Sequence, residues 1–149
     1  MQGDEQQKPV EQPPVDTKME EEPAWTLDNT NLRSLKIKIG VLKRNMKDFT
    51  SYKKEEGLLV EKVEKAKEEQ KDEHDIKKMM EGVQETSETL ALCKPRIETA
   101  LDDLENLMAT IEESIKEENQ EALKQVPEWQ QTESICKEAK TFVDQIEIW

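Results

Sequence analysis

The stretch VQETSETLALCKPRIETALDDLENLMATIEESI, residues 83–115, decides the fold class. Val83, Ser87, Leu90, Lys94, Ile97, Leu101, Leu104, Met108, Ile111 and Ile115 recur along it at alternating steps of four and three. That is heptad spacing, the signature of a helix whose apolar stripe faces other helices. Only Ser87 and Lys94 interrupt the stripe with polarity. Cys93, Ala100 and Leu107 form a second row beside it, so the apolar face is wide enough to touch two neighbours, and three helices are expected. Pro95 lies inside this run, where it removes one backbone donor and crowds the carbonyl of Ala91 at a cost of about 3 kcal/mol. Because the heptad phase continues across it, a kink is expected there and not a helix end.

Toward the N-terminus, Lys71-Asp72-Glu73-His74-Asp75 has no apolar anchor and reads as a turn. Before it, Leu32, Leu35, Ile39, Leu42, Met46 and Phe49, then Val60 and Val63, lay one stripe on a first helix, with Asp28, Asn29 and Thr30 as cap candidates. Running from about 32 to 70, that helix would be roughly 58 Å long. Residues 1–31 hold Pro9, Pro13, Pro14 and Pro23 among many Glu and Gln, and read as a disordered acidic tail in which Trp25 and Leu27 form a local staple onto the first helix. Toward the C-terminus, residues 117–131 read as a polar connection, with Pro127 able to open a helix at its first turn. Trp129, Thr132, Cys136, Ala139, Val143 and Ile146 then repeat at helical steps, with Ile135, Phe142 and Trp149 flanking. The expected architecture is all-α: an elongated antiparallel up-down-up three-helix bundle with coiled-coil-like packing over 32–149, with helices at about 32–70, 75–116 and 128–147.

Composition limits the function classes. Of 149 residues 38% are charged and 4% aromatic, which suits narrow seams between helices and not a thick core. A net charge of −13 argues against nucleic acid or an anionic membrane as partner, because phosphate binding needs clustered cations. No run approaches about 20 apolar residues, and the N-terminus lacks the basic start and apolar middle of a signal peptide, so a cytosolic protein is expected. Cys93 and Cys136 have neither metal-ligand nor redox spacing and read as reduced, half-buried helix residues. His74 is the single histidine; Gly3, Gly40, Gly57 and Gly82 are isolated; and pairs such as Glu61/Lys65 have the spacing of a solvated helix face. Neither a catalytic site nor a metal or cofactor site is expected.

Charge is unevenly spread. Residues 32–54 hold eight bases, Arg33, Lys36, Lys38, Lys43, Arg44, Lys47, Lys53 and Lys54, against Asp48, a net of +7, which leaves −20 on the rest. At 100° per residue, Lys36, Lys43, Lys47 and Lys54 line up in one row beside the apolar stripe, Arg33 and Arg44 lie further round, and Ile37 and Val41 sit one turn apart on the far side. Two readings of these cations stand side by side: pairing with acids of the other helices, or a recognition surface for an acidic partner.

These residues also carry a family resemblance. The run Leu35-Lys36-Ile37-Lys38-Ile39-Gly40-Val41-Leu42-Lys43-Arg44 resembles the first helix of the tubulin folding cofactor A family, tubulin-specific chaperones that hold β-tubulin. Tyr52-Lys53-Lys54-Glu55, the opening His74-Asp75-Ile76-Lys77-Lys78, then Gln84-Glu85, Cys93, Arg96 and Glu98, and finally Lys137-Glu138-Ala139-Lys140 resemble its later motifs in order. The likeness spans about 32–115 and 134–148. The family's second-helix proline would fall at Ala91, one turn before Pro95, and the tail and the connection around 119–131 look like additions.

The resemblance implies a three-helix cytoplasmic, microtubule-associated protein that captures β-tubulin between the cytosolic chaperonin and assembly of the αβ heterodimer. It implies no nucleotide or cofactor, and it brings in other tubulin-folding cofactors as further partners. Because tubulin is acidic, as the resemblance also brings in, Lys36, Lys43, Lys47 and Lys54 are the expected steering cations, Arg44 a carboxylate fork, and Ile37 and Val41 the apolar contacts. Monomer and homodimer both stay open. The alternative function is a structural coiled-coil or tethering subunit using the same seams to join partner helices.

Overall fold

The computed structural model describes residues 25–148, so most of the expected tail lies outside the described residues. These form four α-helices and one 3₁₀ turn, with no strand among them: α1 (Asn29–Glu68), α2 (Glu73–Ser114), the turn Glu117–Asn119, α3 (Gln120–Lys124) and α4 (Pro127–Ile148).

Helix α1 starts at Asn29 because Asp28 caps it, its Oδ1 accepting the Asn31 backbone N–H at 2.7 Å. Leu27, just before the cap, is buried and faces the same cleft as Leu32, the arrangement of a hydrophobic staple. The staple reaches further than the sequence suggests, since Trp25 and Leu27 also line that cleft with Ala122, Val126 and Pro127. The last seven residues of the expected tail are therefore ordered: Leu27 belongs to the core and α1 begins three residues before Leu32.

The turn between α1 and α2 also falls earlier than Lys71–Asp75. Gln70 takes a left-handed φ of 57°, and the Lys71 N–H reaches back to the Ala66 carbonyl at 3.0 Å while that of Gln70 reaches Lys67 at 3.1 Å. These paired bonds close a Schellman turn, and Asp72 then caps α2 by accepting the His74 backbone N–H at 3.2 Å. His74 is thus in the first turn of α2 and not in the loop. Helix α2 runs without a break through Pro95.

Contact pairs set the chain directions. Asn45 Nδ2 donates to the Arg96 carbonyl and Ser87 Oγ to Glu56 Oε2, so α1 and α2 run in opposite senses. Cys136 beside Met108 and Lys140 beside Glu105 give the same relation for α2 and α4. Lys36 beside Glu128 and the edge-to-face pair Phe49–Phe142, 5.7 Å between centroids, set α1 and α4 side by side in one sense. Leu35, Leu42, Ile97, Leu104, Ile111 and Trp129 fill the seam where the three meet. Thr132, buried with them, satisfies its hydroxyl by donating to the Glu128 carbonyl at 2.7 Å.

Helix α4 has 22 residues against 40 in α1 and 42 in α2, about 33 Å against about 60 Å, so it covers one end of the hairpin only. This explains a drift in the stripe of α2. Cys93, Ile97, Ala100, Leu101, Leu104 and Ile111 are buried, whereas Val83 and Leu90 are only half-buried. Val60, read as part of the α1 stripe, is exposed, together with Leu58 and Met80.

Residues 117–131 are not a plain polar connection. Leu123 on α3 is buried in the core, and Gln120 Nε2 lies within hydrogen-bond distance of the Glu112 and Ile115 carbonyls, tying off the end of α2. Pro127 occupies the first position of α4, where its missing N–H removes nothing from the helix.

Candidate functional site

Helix α1 buries Leu35, Ile39, Leu42, Met46 and Phe49, and the same 3.6-residue period turns the intervening residues outward. All seven candidate partner-binding residues, Lys36, Ile37, Val41, Lys43, Arg44, Lys47 and Lys54, are exposed. They share one outward face but do not form a compact patch. The lysine row borders α4, since Lys36 lies against Glu128, whereas Val41 lines the α1–α2 groove with Asn45, Pro95 and Arg96. Arg44 projects between them, the whole face spanning roughly 160° of the helix surface.

The cations can be followed individually. Lys36 Nζ approaches Glu128 Oε2 at 4.0 Å, the outer limit of an ion pair. Lys53, outside the candidate set, pairs with Glu56 at 3.1 Å. Lys43, Arg44, Lys47 and Lys54 make neither an ion pair nor a hydrogen bond among the described residues. Internal pairing therefore accounts for little of the positive charge on α1. Ile37 is 60% and Val41 43% exposed, so both offer apolar area beside those charges.

Other chemistry-bearing groups have structural roles. Cys93 and Cys136 are free and buried; burial raises both thiols, that of Cys136 to about 11 with Glu105 adding to the rise, so neither is a ready nucleophile. Glu56 is held below the usual carboxylate range, chiefly by the Ser87 hydroxyl at 2.5 Å and then by Lys53, against an opposing desolvation. Among the described residues, no three His, Cys, Asp or Glu side chains are placed to hold a metal ion, and no helix is long and apolar enough to cross a membrane. Leu58, Met80 and Leu92 are exposed apolar residues that the sequence reading did not single out; Leu58 and Leu92 fall off the main stripes, which is the signal that could have marked them, whereas Met80 continues the stripe of α2 one step before Val83 and is exposed beyond the reach of α4.

The chain's likenesses agree with one another. The family described as Tubulin binding cofactor A matches residues 30–129, which include the whole cationic row. Tubulin-specific chaperone A of Gallus gallus is 37% identical over 109 residues, 73% of this chain and 93% of its own length. The protein of the same name from Homo sapiens is 32% identical over 117 residues, 78% of this chain and 94% of its own. The crystal structure of tubulin folding cofactor A from Arabidopsis thaliana superposes with a TM-score of 0.64 at 28% identity, over 76% of this chain and 99% of that one. Helix content, sequence and fold converge, and the chain belongs to the tubulin binding cofactor A family.

Proposed function

We propose that this protein is a tubulin-folding cofactor that binds β-tubulin folding intermediates on their way from the cytosolic chaperonin to the αβ heterodimer. It acts by binding alone, in the cytoplasm and in association with the microtubule cytoskeleton, with other folding cofactors as further partners. The observation that carries the reading is that the family match encloses the row of exposed cations on α1, of which Lys43, Lys47 and Lys54 have no ion-pair partner among the described residues. An otherwise acidic chain approaches an acidic partner through such a surface, and complementarity of this kind sets encounter rate and orientation more than total affinity. An up-down-up three-helix bundle is the rigid scaffold of this reading, presenting Lys36, Lys43, Lys47 and Lys54 for steering, Arg44 for a carboxylate, and Ile37 and Val41 for apolar contact.

The test is reversal of the four lysines to Glu. We expect the isolated protein to keep its helix content, to hold β-tubulin at least about tenfold more weakly, and to lose most of its salt dependence, since screening acts on exposed charges. A folded variant that retains β-tubulin as tightly as before would move the docking face to α2 or α4. The second reading, a coiled-coil tethering subunit, draws on the exposed Leu58, Val60 and Met80 beyond the reach of α4. It requires the purified chain to associate or aggregate without its partner, whereas a folding cofactor is soluble alone.

A further inference from the structure

The cationic row has an acidic neighbour within the same chain. Residues 1–24 carry seven acids against Lys8 and Lys18, a net of −5. Of the −8 that remains on residues 25–149, the segment 32–54 contributes +7, so everything else sums to −15. The acidic segment is thus repelled by most of the molecule and attracted by one stretch of it.

The structure places the root of that segment beside the row. Leu27 is buried and Trp25 packs against the core, and Trp25 lines one cleft with Pro127 and Glu128. Glu128 is the residue that meets Lys36 at 4.0 Å, so the chain enters the described region next to the first lysine of the row. From Lys36 to Lys47 the row extends about 17 Å along α1. At no more than about 3.4 Å per residue, Glu20–Glu22 can reach up to roughly 10–17 Å from Trp25 and Asp16 up to roughly 30 Å, which spans it. Lys43 and Lys47 have no competing partner among the described residues.

We infer that the acidic segment 1–24 is itself a ligand of the α1 cations, occupying Lys36, Lys43 and Lys47 and competing there with an external acidic partner. Single exposed ion pairs are weak, so the tether does the work: attachment at Trp25 holds the carboxylates near the row at millimolar effective concentration. An outside ligand must displace them, which disfavours weakly acidic competitors and leaves strongly acidic ones. The inference concerns the row used in the proposed function, but it stands without tubulin and its test contains none.

The test is zero-length carbodiimide coupling of carboxylates to amines on the full chain, in an equal mixture of ¹⁵N-labelled and unlabelled protein, read by mass spectrometry. Lys140–Glu105, at 2.8 Å, is the internal standard. The expected result is intrachain links from Asp16 or Glu20–Glu22 to Lys36, Lys43 or Lys47 that fall several-fold in about 0.5 M salt. Absence of these links while the standard forms, links only between labelled and unlabelled chains, or links spread evenly to Lys62, Lys65, Lys77 and Lys78 would each overturn the inference. A dye-labelled octaglutamate peptide gives the second measurement. Changing all seven carboxylates of residues 1–24 to amides should tighten its binding about twofold or more, as release of a tethered competitor requires. Unchanged peptide affinity would show that the segment does not occupy the row.

Discussion

Ser87 and Glu56 show how one polar position in an apolar stripe is accommodated. The hydroxyl of Ser87 donates to Glu56 Oε2 at 2.5 Å, and Lys53 approaches the same side chain's Oε1 at 3.1 Å, so the carboxylate is favoured in its charged form. A carboxylate whose folded pKa lies below its unfolded one contributes stability above the unfolded value, and that contribution disappears as pH falls through the folded one. Urea midpoints measured from pH 6 down to 3 should therefore draw together for the native protein and Glu56→Gln, the gap being full above the unfolded carboxylate's pKa and shrinking as pH falls toward the lowered folded one. Ser87→Ala should narrow the gap at neutral pH, because it removes the largest cause of the shift. Parallel pH curves for the native and Glu56→Gln proteins would show that the pair stores no pH-dependent stability.

At the scale of elements, the segment between α2 and α4 is the least regular and yet is firmly placed. Gln120 ties off the carbonyl end of α2, Gln130 Nε2 donates to the Lys124 carbonyl at 2.9 Å, and Leu123 inserts into the core between these two caps. Leu123→Ala should cost about 2–4 kcal/mol, the range for a fully buried leucine, and chemical denaturation would report it. A loss below about 0.5 kcal/mol would mean that α3 rests on the bundle without contributing to it. Pro95 contrasts with this segment: α2 continues through it, and the burial of Cys93 and Ile97 on either side of it offsets the cost of the missing donor.

For the whole molecule, the described N-terminal residues belong to the folded unit. Removing residues 1–24 should leave the melting temperature within about 2 °C, whereas removing 1–28 takes away the buried Leu27 and the Asp28 cap. At about 2–3 kcal/mol for the leucine and about 1 kcal/mol for the cap, the longer deletion should lower the melting temperature by roughly 10 °C, as read by circular dichroism. Equal melting of the two truncated chains would remove the staple from the account of stability. The unequal helix lengths also divide the molecule into a three-helix end that carries the cationic face and a two-helix end that exposes Leu58, Val60 and Met80.

The sequence by itself determined the helical class, the phase of the α1 stripe from Leu35 to Phe49 and the outward placement of the seven candidate residues, because helical spacing and charge placement are local and periodic properties. It also carried the family likeness through short motifs in order. Three things were decided only by tertiary structure. The fate of Leu27 and Leu123 depended on which distant residues closed over them, and neither lies on a periodic run that marks it as core. The turn at Gln70 depended on a left-handed residue that is not glycine, which turn chemistry read from composition does not mark. And whether the α1 lysines were paired or free depended on where acids of other helices came to lie: among the described residues α4 brought Glu128 to Lys36 and no acid to Lys43, Lys47 or Lys54, because packing that no local pattern encodes sets its carboxylates apart from their ammonium groups.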